Sequence, residues 1–159
     1  MRKLNYYLNI DLKQLEEQYQ KGWLRKAISE DGKLVQYNYS NKAQYEKYWN
    51  KHTKNNRGHI YEVETGKLVA MSFPKFFNFS ELTVGEQRHL SRKTDFTVFE
   101  KMDGCLGICY FYDGKWRVNS RGSFNSFASR VAEELLRKYP KINEMNRNCT
   151  LLFEIIHPN

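Results

Sequence analysis

A lysine stands two residues ahead of an Asp-Gly pair in the run FEKMDGCLG, residues 99 to 107. Lys101 is either a strand-end charge beside an ordinary Asp-Gly turn or a nucleophile. A neutral lysine amine can attack the α-phosphorus of a nucleoside triphosphate and form a lysyl-nucleotide, which splits a hard condensation into easier steps. The amine must first lose its proton. An unperturbed lysine, with a pKa near 10.4, is only about one part in a thousand neutral at pH 7.4. Lowering that pKa by about 3 units costs about 4 kcal/mol, and burial or nearby cations can achieve it. Val98, Phe99 and Met102 are expected to form an apolar wall around the amine. Gly104 lets backbone approach a phosphate or base closely. Glu100 and Asp103 pull the other way unless a divalent cation neutralises them.

Other residues have types that suit the same chemistry. Arg121, in NSRGSF, is expected at the end of the strand returning from Asp113-Gly114, where it either grips a phosphate with two hydrogen bonds or is a solvated strand-end charge. Glu154 stands alone among apolar residues in LLFEIIHPN. A carboxylate in such a strand needs a partner, either a ribose hydroxyl pair or a cation of the protein itself. In SFPKFFNFSE, Lys75 is flanked by Phe73, Phe76, Phe77 and Phe79. Cations interleaved with rings can grip a nucleotide, although Phe76 and Phe79 are expected to pack on the core. Arg57, in NNRGHIYE, is a candidate for the outer phosphates or a plain loop arginine.

The elements that must position these residues follow from periodicity. DLKQLEEQYQKG (11–22) has helical spacing with Gly22 as a stop, and NKAQYEKYWNKH (41–52) reads as a short aromatic helix. Hairpins are expected over 23–40 about Asp31-Gly32 and over 57–73 about Thr65-Gly66. Residues 95–124 give the densest strand signal, turning at Asp113-Gly114, and 149–159 reads as a buried strand. Residues 125–139 form an amphipathic helix with an apolar stripe of Phe127, Val131, Leu135 and Leu136. The fold class is α+β: antiparallel sheets with flanking helices.

Composition bounds the rest. The 159 residues suit one domain, and the 40% hydrophobic content is enough for a core. The net charge is +8, and residues 1–60 alone hold twelve Lys/Arg against six Asp/Glu. That excess favours polyanions. The three cysteines, 105, 109 and 149, are an odd number without a C-x-x-C pair, which points to a reducing compartment and buried structural thiols. No apolar run is long enough for a signal peptide or a membrane span, and a cytoplasmic location is expected.

FEKMDG, SRGSF and FEIIHPN together resemble successive nucleotidyltransferase motifs of ATP-dependent ligases. RGHIYE and PKFFNFSE narrow the resemblance to the phage-type RNA ligase 1 family, over roughly residues 54 to 159. The resemblance implies an ATP-grasp-like domain of which 1–159 is the N-terminal part. Lys101 would take AMP from ATP, Glu154 would bind the ribose, and Arg121 would contact the nucleotide or the RNA end. Arg57 and Lys75 would serve the triphosphate, Phe77 the adenosine pocket, and Glu100, Met102 and Gly104 would border the nucleotide. Magnesium would offset the phosphate charge, and the AMP would pass to an RNA 5′-phosphate before a 3′-hydroxyl displaces it. RNA repair is the implied role, and a tRNA broken in a loop is a common substrate of the family. Cys105 stands where the family often has serine. The family's later Glu-Gly and Lys-x-Lys motifs are not in these 159 residues, which reads as the front of a longer protein. Two alternatives remain at this stage. One is another lysyl-nucleotide enzyme, a DNA ligase or capping guanylyltransferase; the other is a non-catalytic basic RNA-binding module.

Overall fold

Three turn pairs with glycine at positive φ, Gly32, Gly66 and Gly114, close the expected hairpins. The computed structural model describes residues 11–93 and 95–156. The histidine, proline and asparagine that end the last motif lie outside the described residues. The first hairpin is β1 (Leu24–Ile28) with β2 (Leu34–Tyr39). The second is β3 (Arg57–Glu62) with β4 (Leu68–Ala70), and the four strands form one antiparallel sheet in the order β1-β2-β3-β4. A second sheet, in the order β6-β5-β7, is built from β5 (Cys105–Tyr112), β6 (Lys115–Ser120) and β7 (Leu151–Ile155).

Side-chain alternation along β2 explains the layers. Val35, Tyr37 and Tyr39 face α1 (Leu12–Gln20), joined by Leu15, Leu24 and Tyr61. Leu34 points the other way and packs, with Ile60 and Ala70, against Ile108 and Tyr110 of the second sheet. Every residue of β2 is therefore buried. Full burial of aliphatic side chains such as Leu34, Ile60 and Ile108 stabilises by about 1.5–3 kcal/mol each. The outer face of the second sheet is covered by α5 (Phe127–Arg137), through Ala128 and Ala132 against Cys109, Val118 and Ile155. The order of layers is helix, sheet, sheet, helix.

Four expectations need correction. The helix over 41–52 is two helices, α2 (Asn41–Tyr45) and α3 (Lys51–Asn55). Lys47, at φ 51, breaks the first, and Asn50 restarts the second by accepting from the His52 and Thr53 amides. Residues 95–104 are not strand, because the neighbours of β5 pair with it only from Cys105 onward, leaving no ladder for earlier residues. The buried stripe of α5 is Ala128, Ser129 and Ala132, while Phe127 and Leu135 stay exposed; small residues bring the helix close to the sheet. Of the cysteines, only Cys109 is buried, its thiol pushed up to about 12 by burial, while Cys105 is exposed. An unexpected helix, α4 (Val84–Ser91), starts at Thr83 with a reciprocal cap from Glu86.

His59 lies in β3 at 1% exposure, and burial pushes its pKa down from 6.5 to about 4. The unfolded chain therefore binds more protons than the folded one between those values, so stability falls as pH drops through that window. Lowering pH from 7 to 5 should cost about 2 kcal/mol from His59 alone. Urea midpoints at the two pH values check this; equal midpoints would contradict it.

Candidate active site

Two groups of predicted site residues gather at one end of the second sheet. In an antiparallel sheet, the start of β5 lies beside the ends of β6 and β7. Gly107 pairs with both Ser120 and Phe153, and Cys105 with Ile155. The loop carrying Lys101 thus enters where Arg121 leaves β6 and Glu154 stands one residue before the end of β7.

The first group is cationic and aromatic. Arg57 opens β3, and Gly58 follows at φ 93 where the β2–β3 register shifts, a bulge. Gly58 meets the second sheet: a Cβ there would lie 2.7 Å from Ile108 Cδ1 and 2.9 Å from the Arg121 carbonyl oxygen. Buried Gln36 spans the joint, its Nε2 donating to the carbonyls of Gly58 at 3.2 Å and Ser120 at 2.9 Å. Arg57 and Arg121 are brought together from different sheets by this contact. Arg121 donates from Nη1 to Tyr39 Oη at 3.3 Å. Tyr39 meets Trp49 edge-on at 5.3 Å between ring centres, and Trp49 meets Phe77 in the same way at 5.5 Å. Lys75 lies over both Trp49 and Phe77, Lys54 over Phe77, and Arg57 over Phe76. The backbone is stitched here too, with the Lys75 amide donating to the Lys54 carbonyl at 2.7 Å.

The second group is the lysine loop. Gly104 packs on the end of β7: a Cβ there would collide with the Ile155 carbonyl oxygen and lie 3.1 Å from Glu154 Cγ. That close approach brings the C-terminal end of the lysine loop, at Gly104, against Glu154. Lys101 and Glu100 are exposed.

Three expectations about these side chains change. The apolar wall is not formed, because Val98 is 80% and Phe99 81% exposed and Met102 is also open to solvent. Among the described residues, 95–103 have no strand partner and lie open to solvent. Glu154 is exposed rather than buried among apolar neighbours: its side chain lies open near the end of β7, while that of Ile155 beside it is buried. Phe76 and Phe79 do not pack on the core; they stand 64% and 53% exposed. Among the described residues the ion pairs are Lys26–Glu16 and Lys33–Asp113, so Glu154 and the gathered cations enter none. Reading the sequence missed Tyr39, Trp49, Gln36 and Lys54. Tyr39 and Trp49 look like ordinary core aromatics, and only the meeting of the sheets reveals their neighbours. A cavity of about 950 Å³ lies apart from this site, between β1, β6 and α5.

Comparison with known proteins places the chain. The model of an RNA ligase family matches residues 40–159. A protein of Autographa californica nuclear polyhedrosis virus, assigned as a bifunctional polynucleotide kinase/RNA ligase, is 41% identical over 73 residues, 42% of this chain and 10% of its own length. A protein of Thermovibrio ammonificans assigned as an RNA ligase is 32% identical over 107 residues, 64% of this chain and 28% of its own. RNA ligase 1 of bacteriophage TS2126 is 32% identical over 113 residues, 64% of this chain and 29% of its own. The chain belongs to the phage-type RNA ligase family. It spans less than a third of the length of these relatives.

The two glycine contacts give a direct check of the geometry. Gly58→Ala and Gly104→Ala should each destabilise by about 1–3 kcal/mol, the usual cost of forcing atoms into a packed site. Gly85→Ala, where an added Cβ meets nothing, should be neutral or stabilising by up to about 1 kcal/mol. Denaturant midpoints of the three variants separate these outcomes.

Proposed function

We propose that this chain carries the adenylylation site of an ATP-dependent RNA ligase, part of an ATP-grasp-like nucleotidyltransferase domain that acts in RNA repair. The observation that carries the reading is the convergence of the Lys101 loop, Arg121 and Glu154 at one sheet end beside cations that enter no ion pair among the described residues, in a chain of the RNA ligase family.

The residues fit a nucleotide. Rings with cations above them suit a base and its phosphates, and an exposed carboxylate with no ion-pair partner among the described residues suits ribose hydroxyls as acceptor. In this reading Arg57 and Lys75 hold the outer phosphates of ATP, Phe77 borders the adenosine and Glu154 accepts from the ribose. Glu100, Met102 and Gly104 border the same nucleotide. The Lys101 amine, once deprotonated, forms an N–P bond to the α-phosphorus while the bond to the β-phosphate bridging oxygen breaks and pyrophosphate leaves. Magnesium, bound with the phosphates, would supply charge neutralisation for the leaving group. The lysyl-AMP then passes its AMP to an RNA 5′-phosphate, and a 3′-hydroxyl expels the AMP as the strand is sealed. In this reading Arg121 contacts the nucleotide or that RNA end.

Incubation with ATP and magnesium is expected to add one AMP to the protein, mapped to Lys101 by peptide mass spectrometry. GTP should give no adduct, which separates this reading from a capping guanylyltransferase. Lys101→Ala should take no AMP and melt at the temperature of the parent. An adduct on another residue would overturn the assignment.

A further inference from the structure

Of the turn between α2 and α3, Trp49 packs on the core while Glu46, Lys47 and Tyr48 are exposed. Helix α2 buries only Ala43, yet the segment displays Tyr45 at 83% exposure and Tyr48 at 39%. Tyr48 is stacked on Trp23, with ring centres 4.0 Å apart and planes 16° from parallel. The other side of the Trp23 ring carries Lys42 Nζ, 4.0 Å from its centre. Lys47 holds a left-handed backbone at the turn itself, a conformation uncommon outside glycine and costly to keep. Residues 41–57 carry Lys42, Lys47, Lys51, Lys54 and Arg57 against Glu46 alone. The ridge is continuous with the candidate site, because Trp49, next to Tyr48, touches both Tyr39 and Phe77.

Single exposed aromatics are ordinary on protein surfaces. An exposed ring beside a preformed stack, on a strongly basic segment leading to a nucleotide site, is a different arrangement. Unpaired bases present their faces for stacking while their phosphates meet lysines. Paired bases hide those faces inside the duplex. We propose that this ridge binds single-stranded RNA, stacking bases on Tyr45 and Tyr48 and taking phosphates with Lys47 and Lys51, and so leads a strand end toward Lys101. The inference rests on the RNA ligase reading for its direction along the surface, and on the ridge itself for the binding.

The test is fluorescence anisotropy with a labelled single-stranded RNA of about 12 nucleotides, a length within the site sizes of single-strand binders, titrated at several salt concentrations. Tyr45→Ala should weaken binding at least about fivefold, the lower range for one lost stack, and Tyr45→Phe should restore it. Lys47→Asn combined with Lys51→Ala should reduce the slope of log affinity against log salt by about 1.4, or about 0.7 per lost phosphate contact. Duplex RNA of the same length should be insensitive to Tyr45→Ala. Unchanged single-strand affinity in the tyrosine and lysine variants would overturn the ridge. AMP adducts, measured on the same variants, keep the two readings apart. A parent that takes no AMP while its variants lose RNA binding would sink the ligase reading and leave the ridge standing. Normal adducts with unchanged RNA affinity would do the reverse.

Discussion

One buried amide holds the two sheets in register. Gln36 donates from a single nitrogen to the Gly58 carbonyl on one sheet and the Ser120 carbonyl on the other. Each is a strand-end carbonyl, and a buried carbonyl left without a donor costs about 1–3 kcal/mol. The joint is tight because Gly58 has no side chain, leaving room for Ile108 and for the backbone of Arg121. The positive φ of Gly58 belongs to the same bulge that shifts the β2–β3 register. Arg57 and Arg121, remote in sequence, are neighbours because of this contact. Tyr39, Trp49 and Phe77 extend it into a connected row of rings.

Much of the fold is legible from local chemistry. Asp31-Gly32, Thr65-Gly66 and Asp113-Gly114 each close the hairpin their residues announce. Turn chemistry acts over a few residues and needs no tertiary partner. The failures lie where a distant partner decides. FTVFEKMDG has strand composition but, among the described residues, no strand beside it, and it is irregular and exposed. Glu154 reads as buried from its apolar neighbours, yet it is exposed while Ile155 next to it is buried, a difference that depends on what packs over each side chain. One miss was avoidable: Thr83 and Glu86 have the spacing of a capping box, the start signal of the helix that follows. The site divides in the same way. Its motif residues stand out as types and spacings, but Tyr39, Trp49 and Gln36 gain meaning only when the sheets meet.

The exposure of the lysine loop also has a physical side. Gly104 anchors the loop to the end of β7 through backbone contact, while residues 95–103 contribute almost no buried apolar surface. Segments with few buried contacts open at low free-energy cost. A loop pinned at one end and free before it can reorder around a ligand without disturbing the core beneath. In the proposed chemistry the amine must approach a phosphate that the cationic cluster holds, so a pinned but adjustable approach suits it better than a rigid strand.

The choice of rings rather than carboxylates to position the cations matters most for such a site. A carboxylate partner would orient Arg57, Lys75 or Arg121 firmly but would also cancel its charge locally and compete with a phosphate for its donors. A ring below a cation contributes about 0.5–1 kcal/mol at an exposed site and leaves the formal charge and most N–H donors available. Arg57 over Phe76, Lys75 over Trp49 and Phe77, and Arg121 over Tyr39 all follow this pattern. The ion pairs found among the described residues, Lys26–Glu16 and Lys33–Asp113, involve none of these cations. Their charges therefore add along this row of rings, which favours a polyanion there. An aromatic scaffold gives this end of the sheet orientation and unspent charge together.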